Sequence, residues 1–250
     1  MRHIVVLGDS LTEQGYASGW VSQLSNAYIR RAGVINGGLS GYNSRWLKEA
    51  LLTAELRQRW LPSSLLEETP PLFATLLIGS NDCASNEQHV PLEEFKENIQ
   101  AVVEFVLTTW KPVGGVFVVT LPPIMEEVWA ATNGLNRTLK DCRAYRTATL
   151  EAVAGKEDVH VVDFHTVMLG YSREEGWDGS GEVPYDPAAP YGALLRDGLH
   201  LNEKGGALLF ETLMQAVRSS PKAKKISEKK LSMLAPYWGE VCKKDGKTGE

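Results

Sequence analysis

The sequence predicts an α/β fold, a three-layer α/β/α sandwich in which helices cover both faces of a five-stranded parallel sheet. Two observations predict this class. Five short apolar segments alternate along the chain with longer segments of helical periodicity. Most of the short segments are apolar at successive positions, which is typical of strands buried on both faces. In such folds the ligand site lies at the carboxyl ends of the strands.

The predicted strands are the short apolar runs. They cover residues 4–7, 34–35, 72–78, 115–121 and 159–162. Three of these runs are followed directly by residues that interrupt strands, Gly8, Gly79 and Pro122. The breaks place each strand end, and therefore the edge where a site is expected.

The predicted helices carry apolar residues three or four positions apart. They cover residues 20–31, 43–60, 93–108, 133–154 and 203–218. In the first helix, Trp20, Leu24 and Tyr28 share one face. The second is expected to end before Pro62, and Asn202 is the predicted N-cap of the last.

The chain of 250 residues fits one domain, which we expect over residues 1–241. Residues 171–196 are rich in glycine and proline and are too long for an ordinary connector, so they predict a functional or a mobile loop. Residues 221–241, which include Pro-Tyr-Trp at 236–238, predict an extension folded back on the domain. Residues 242–250 predict a disordered tail.

Composition argues against several classes of function. The 26 basic and 31 acidic residues leave a net charge of −5, which argues against nucleic-acid binding and stable membrane association. The lysines within residues 222–230 are expected to form a solvated helix face. Cys83, Cys142 and Cys242 lie far apart, so neither a disulfide framework nor a thiolate zinc site is expected. No apolar run reaches the length of a membrane span and no signal peptide is recognisable, which favours a cytoplasmic location.

Polar residues that could take part in catalysis follow the predicted strands. Ser10 follows the first strand, a glycine-rich block at 36–41 follows the second, and Asn81 follows the third. Asp197 and His200 precede the last helix at a spacing that lets the carboxylate hold one imidazole nitrogen and leave the other free as a base. Each block alone is also ordinary turn or cap chemistry, so the combination at one sheet edge carries the prediction.

This combination resembles the SGNH (GDSL-type) hydrolases, whose fold is flavodoxin-like. The four matching blocks are GDSL at 8–11, NGGLSG at 36–41, GSND at 79–82 and DGLH at 197–200. They occur in the family's order and extend over most of the chain.

Three further stretches resemble the isoamyl acetate-hydrolysing esterase branch of that family. They are SGYNSRW at 40–46, DGLHLNEKG at 197–205 and APYW at 235–238. The last lies outside the catalytic blocks and therefore favours the branch as well as the superfamily.

The resemblance implies a catalytic triad of Ser10 as nucleophile, His200 as general base and then acid, and Asp197 as the residue that orients His200. It implies an oxyanion hole made by the backbone N–H of Ser10, the backbone N–H of Gly41 and the side-chain amide of Asn81. Gly38 is the alternative to Gly41.

Leu11, Tyr42 and Cys83 are the candidates for substrate contacts. We expect no metal and no cofactor, since the zincin, P-loop and dinucleotide-binding motifs are absent, and so is the Gly-x-Ser-x-Gly elbow of ordinary α/β-hydrolases.

The implied reaction is hydrolysis of a small-molecule carboxylic ester of the acetate type. Residues 171–196 lead directly into Asp197, so we expect them to wall the pocket and to set the specificity for the alcohol. A carbohydrate O-acetyl esterase, a lysophospholipase, a thioesterase and a catalytically idle binding protein remain alternatives. A homodimer also remains open.

Overall fold

Five parallel strands form the centre of the molecule in a computed structural model that describes residues 2–170 and 184–244. The strands are β1 (His3–Gly8), β2 (Gly33–Gly38), β3 (Ala74–Leu77), β4 (Val116–Val119) and β5 (Val159–Val162). Their order in the sheet is β2-β1-β3-β4-β5, and every neighbouring pair is parallel. The predicted five-stranded parallel sheet is confirmed.

Helices cover both faces of this sheet, which confirms the three layers. The α-helices of the described residues are α1 (Ser10–Glu13), α2 (Trp20–Ala27), α3 (Ser44–Leu52), α4 (Ala54–Trp60), α5 (Ser63–Glu68), α6 (Leu92–Phe105), α7 (Glu126–Asn133), α8 (Leu139–Val153), α9 (Phe164–Leu169), α10 (Glu203–Ser219) and α11 (Trp238–Lys244). Helices α3, α6 and α8 pack side by side in one layer, whereas α2 packs against α10 in the other. This division follows from right-handed crossovers, because the crossover from β1 to β2 runs along the sheet in the opposite direction to the crossovers that lead to β3, β4 and β5.

The strand order brings the sequence blocks to one edge. In the register, Gly8 pairs with Gly38 on one side and with Leu77 on the other, so these three strands end level with one another. The chain moves outward from β1 to β2 and then returns to β3, which makes the space beyond β1 and β3 the topological switch point. The segments that follow these strands therefore converge there.

The second and fourth predicted helices were wrong in extent. The expected helix at 43–60 is divided at Thr53, where the backbone is extended, and the buried Arg57 donates a hydrogen bond of 2.7 Å to the carbonyl oxygen of Leu51 at the end of α3. The expected helix at 133–154 begins only at Leu139. A separate helix, α7, ends before Gly134, whose positive φ of 72° interrupts the helical path.

The first predicted helix is also shorter than expected. Instead of continuing to residue 31, α2 ends at Ala27, and Tyr28 caps it with a backbone hydrogen bond to Leu24. Arg30 then has a positive φ of 59°, which a continuous helix does not permit.

The buried apolar residues form one contiguous core around the sheet. Part of the 221–241 extension joins this core through Ala223 and Ile226. Beyond Ile226 the extension still contacts the domain, since the backbone N–H of Leu234 donates to the carbonyl oxygen of Arg30 at 2.7 Å and the Arg30 guanidinium lies 5.6 Å from the Tyr237 ring centroid. Tyr237 and Trp238 are nevertheless 54% and 68% exposed. Helix α11 includes residues 242–244 of the expected tail, and residues 245–250 lie outside the described residues.

The predicted pocket loop at 171–196 is described only in part. Residues 171–183 lie outside the described residues. The remainder forms a short 3₁₀ helix at Pro190–Leu194, and the Tyr185 hydroxyl accepts a hydrogen bond from the backbone N–H of Glu127 at the start of α7.

Candidate active site

Ser10 is the first residue of α1, and one residue, Asp9, separates it from the carboxyl end of β1. The preceding Asp9 is the N-cap, and its carboxylate accepts a 2.9 Å hydrogen bond from the backbone N–H of Leu11. The Ser10 N–H occupies the first position of a helix, where no intrahelical acceptor exists. Asp9 thus braces the turn, as its capping position predicts, and Ser10 directs a hydroxyl and a backbone donor to the sheet edge.

Asp197 and His200 lie on the turn before α10. Oδ2 of Asp197 is 2.7 Å from Nδ1 of His200, and Oδ1 accepts hydrogen bonds from the backbone N–H groups of His200 at 2.8 Å and Leu199 at 3.1 Å. Burial acts to raise the pKa of Asp197, but the hydrogen bonds from His200 and Leu199 outweigh it and hold the pKa below its ordinary value. The carboxylate therefore stays ionised and fixes the imidazole through Nδ1.

The serine and histidine meet across the sheet edge. Nε2 of His200 lies 3.0 Å from the Oγ of Ser10, although the two residues are 190 positions apart in the chain. With Nδ1–H donated to Asp197, Nε2 is left as the acceptor of the hydroxyl proton. An arrangement of this kind can activate a hydroxyl as a nucleophile.

Backbone and amide donors face the same cleft. Gly41 has a φ of +81°, a conformation that favours glycine, and its N–H has no hydrogen-bond partner among the described residues. The side-chain Nδ2 of Asn81 donates to the carbonyl oxygen of Tyr42 at 2.8 Å, which leaves its second hydrogen available. Together with the N–H of Ser10, these groups can stabilise negative charge on a substrate oxygen.

Gly38, the alternative to Gly41, is committed to other contacts. Its N–H donates a 2.9 Å hydrogen bond to Oδ1 of Asn36. A Cβ at this position would lie only 2.0 Å from the backbone nitrogen of Glu13, so Gly38 packs directly on α1. These contacts favour Gly41 as the donor.

These groups line a cleft of about 470 Å³ at the sheet edge. Its described lining is mostly polar, with Trp129 and Leu199 as the apolar side chains. The lining comprises Ser10, Gln14, Ser40, Gly41, Asn81, Asn86, Gln88, Trp129, Asn133, Asn136, Arg137, Leu199 and His200. A larger depression of about 610 Å³ beside the lysine-rich segment contains none of the predicted site residues.

The three residues predicted to contact substrate do not line this cleft. Leu11 and Cys83 are only 3% and 4% exposed and belong to the core. The Tyr42 ring packs edge-on against Trp46 at 6.1 Å between centroids. Cys83 is also a poor nucleophile, because its hydrogen bond to Cys142 and its burial raise the pKa of the thiol.

The wall of the cleft comes from α7 and the segment after it, which the sequence analysis missed. Trp129 lies beside His200, with 6.1 Å between the ring centroids. The start of α7 is fixed by a 2.9 Å hydrogen bond from the backbone N–H of Met125 to the carbonyl oxygen of Gly198. Arg137 lies behind Asn81 and donates to its Oδ1 at 3.0 Å. No sequence pattern marked Arg137 as a site residue, since the Asn-Arg-Thr tripeptide at 136–138 has no link to this position.

The part of the chain that the structure describes contains neither a metal-binding cluster nor a membrane-spanning helix. Within residues 2–170 and 184–244, no group of three or more His, Cys, Asp or Glu side chains has the arrangement of a metal site. Across the same part of the chain, no helix is both long and apolar enough to cross a bilayer.

Comparison with known families gives the class of this protein. The family model described as GDSL-like lipase/acylhydrolase matches residues 4–213, so the chain belongs to this family. It is a carboxylic ester hydrolase.

Its relatives place it in the branch similar to isoamyl acetate-hydrolysing esterases. The chain is 30% identical over 249 residues to the isoamyl acetate-hydrolyzing esterase 1 homolog of Bos taurus, covering 96% of this chain and 88% of that protein. It is 27% identical over 236 residues to the isoamyl acetate-hydrolyzing esterase of Saccharomyces cerevisiae, covering 86% and 85%.

A solved structure of an acetyl xylan esterase has the same fold. It superposes with a TM-score of 0.62 at 19% identity, covering 86% of this chain and 99% of that one.

Proposed function

We propose that this protein is a serine esterase that hydrolyses small acetate-type esters through an acyl-enzyme intermediate. The observation that carries the proposal is the hydrogen-bonded chain from Ser10 Oγ to His200 Nε2 at 3.0 Å and from His200 Nδ1 to Asp197 Oδ2 at 2.7 Å. This chain links a hydroxyl, a base and an ionised carboxylate at the mouth of one cleft.

The acylation step follows from this geometry. His200 takes the proton of Ser10 while Oγ attacks the ester carbonyl carbon, and the carbonyl oxygen becomes an oxyanion. The N–H groups of Ser10 and Gly41 and the amide of Asn81 donate to that oxygen. His200 then gives its proton to the leaving alcohol as the C–O bond breaks, and the acyl group remains on Ser10.

Deacylation repeats the sequence with water. His200 removes a proton from water, which attacks the acyl-enzyme. His200 then returns that proton to the Oγ of Ser10 as the bond to the acyl group breaks and the carboxylic acid leaves. Asp197 holds the imidazole in one orientation throughout and stabilises the imidazolium. Neither half-reaction requires a metal or a cofactor.

The size of the cleft and the names of the relatives support a small ester. A volume of about 470 Å³ is near the lower end of ligand pockets, and part of it must also hold the alcohol group. The relatives in Bos taurus and Saccharomyces cerevisiae are named for isoamyl acetate. Acetate on a short or medium alcohol is therefore the first candidate.

The polar lining favours a second candidate, a carbohydrate O-acetyl ester. Asn86, Gln88, Asn133 and Asn136 offer several amide groups to the cleft, whereas a long acyl chain would find few apolar contacts in its described lining. Amide side chains can both donate to and accept from sugar hydroxyls. A lysophospholipase fits this lining less well.

A substrate panel tests the proposal. We expect kcat/KM to be highest for p-nitrophenyl acetate and to fall for the butyrate and octanoate esters, with the activity lost in Ser10→Ala. Isoamyl acetate and an acetylated xylose, assayed side by side, distinguish the two alcohol classes. Rates that rise with acyl length would contradict the acetate assignment, and full activity in Ser10→Ala would overturn the serine mechanism.

A further inference from the structure

Arg137 is a buried cation behind the oxyanion side of the cleft. Arg137 is only 3% exposed, and its guanidinium lies 5.1 Å from the ring centroid of Trp129. It donates four hydrogen bonds to neutral oxygens, namely the carbonyl of Ser80 at 2.7 Å, Oδ1 of Asn136 at 2.8 Å, Oδ1 of Asn81 at 3.0 Å and Oε1 of Gln88 at 2.8 Å.

This cation has no carboxylate partner within 4.0 Å among the described residues. Burial lowers the pKa of Arg137, yet a guanidinium remains protonated in proteins. An unpaired buried charge is costly, and a neutral side chain would be the cheaper occupant if packing alone were required. The position of the charge beside Asn81 therefore suggests a role in the reaction.

Arg137 determines how the Asn81 amide is oriented. A guanidinium can only donate, so the amide oxygen of Asn81 faces Arg137, and the amide nitrogen is directed to the carbonyl of Tyr42 and the cleft. If the amide turned over, its NH₂ group would oppose another donor. Arg137 thus orients the Asn81 NH₂ group, the donor that is expected to stabilise the oxyanion, toward the cleft.

The same guanidinium nitrogen reaches Gly41 through Gln88. Nη2 of Arg137 donates to Oε1 of Gln88, and Nε2 of Gln88 donates to the carbonyl oxygen of Gly41 at 2.9 Å. On the other side, the carboxylate of Glu13 accepts from the N–H of Ser40 at 2.8 Å. These contacts bracket the free N–H of Gly41.

We propose that Arg137 is the positioning residue of the oxyanion hole, which it holds directly through Asn81 and indirectly through Gln88 and Gly41. The proposal rests on the serine esterase mechanism. Because the oxyanion exists only in the transition state and intermediate, loss of this positioning lowers kcat and leaves KM nearly unchanged.

Variants of Arg137 test this role with Arg57 as a matched control. Arg57 is also buried, lies 4.8 Å from the ring centroid of Phe105 and donates to Ser63 and Leu51 in a different part of the molecule. We expect Arg137→Met to lower kcat for p-nitrophenyl acetate about 100-fold and Arg137→Lys to restore part of it, with KM within about twofold of wild type. We expect Arg57→Met to lower the melting temperature without this fall in kcat.

Gln88→Leu provides a second test that leaves the buried cation in place. It removes the link to Gly41, and we expect kcat to fall about tenfold with KM again unchanged. If Arg137→Met does not fold, Gln88→Leu still tests whether this hydrogen-bonded network positions the oxyanion hole. Unchanged kcat in Gln88→Leu and in any folded Arg137 variant would overturn the proposal, as would an effect on KM alone or an equal loss of kcat in Arg57→Met.

Ser10→Ala, measured in the same assay, distinguishes failure of the serine mechanism from failure of the positioning role of Arg137. If Ser10→Ala is inactive and the Arg137 variants retain kcat, the serine mechanism stands and the positioning role fails. If Ser10→Ala is fully active, the serine mechanism fails and the positioning role fails with it.

Discussion

The hydroxyl of Ser10 lies 3.0 Å from Nε2 of His200, and this contact joins the first strand of the sheet to the turn before α10. Both residues are held by short local hydrogen bonds, Ser10 through the Asp9 cap and His200 through Asp197. The contact therefore depends on the sheet bringing two rigid turns together. Substitutions at the surrounding residues test separate parts of this arrangement.

The first prediction concerns the orientation of His200. Asp197→Asn retains an oxygen for the backbone N–H groups of His200 and Leu199 but removes the negative charge beside Nδ1. We expect kcat to fall by a factor on the order of 10³ to 10⁴, because the charge no longer stabilises the imidazolium and the wrong tautomer is favoured. Steady-state kinetics with p-nitrophenyl acetate measure this effect.

Asp186→Asn is the control for that substitution. Asp186 is exposed and also accepts a hydrogen bond from a backbone N–H two residues ahead, that of Ala188 at 2.8 Å. Its replacement is expected to leave kcat unchanged. A fall of less than tenfold in Asp197→Asn would contradict the assigned role of Asp197.

The second prediction concerns the amide of Asn81. Asn81→Ala removes a donor from the developing oxyanion, so we expect kcat to fall about 100- to 1,000-fold, a loss of about 2.7–4 kcal/mol of transition-state stabilisation. KM should change little. Asn133→Ala, which alters an exposed amide on the same cleft, is expected to keep kcat near wild type. A rise in KM with unchanged kcat in Asn81→Ala would instead indicate a substrate-binding role.

The third prediction concerns the pH dependence of stability. Burial is the main cause that raises the pKa of Asp9 from 3.8 to about 7, and it outweighs the hydrogen bond from Leu11. Between these two values the folded state binds more protons than the unfolded state, so this carboxyl lowers the free energy of unfolding as pH rises through that window. Asp82, whose pKa burial also raises to about 7, acts in the same direction.

Asp9→Asn isolates this contribution, since the amide oxygen can still cap α1 but carries no charge. We expect the melting temperature of Asp9→Asn, relative to wild type, to increase from pH 5 to pH 8. Thermal melts at four pH values across this range measure it, with Asp186→Asn as the exposed control. A difference that stays constant with pH would contradict the assignment.

The sequence predicts the centre of the sheet well because β1, β3 and β4 are buried along their whole length. Runs such as that around Val5 and Val118 have little alternation, and the glycines and prolines after them place the strand ends. The positions of Ser10 and Asn81 at the sheet edge follow from those ends. Their contacts with His200 and Arg137 required the structure, since these pairs are far apart in the chain.

Sequence patterns failed where tertiary contacts determine the local structure. The helical periodicity of residues 43–60 continues through Thr53, but the buried Arg57, in the middle of α4, donates to the last turn of α3. The cleft wall at Trp129 depends on docking of α7 against Gly198, which no local pattern records. Leu11 was expected to contact substrate, yet its side chain is buried in the core.

Covalent labelling by a fluorophosphonate probe tests the central claim most directly. The probe reacts with a serine hydroxyl that a neighbouring base activates, and its phosphoryl oxygen occupies the oxyanion position. We expect wild-type protein to gain the mass of one adduct, located by peptide mass spectrometry on Ser10, and Ser10→Ala to gain none. An adduct of equal yield in Ser10→Ala, or located on another residue of the wild-type chain, would contradict the assignment of Ser10 as the nucleophile.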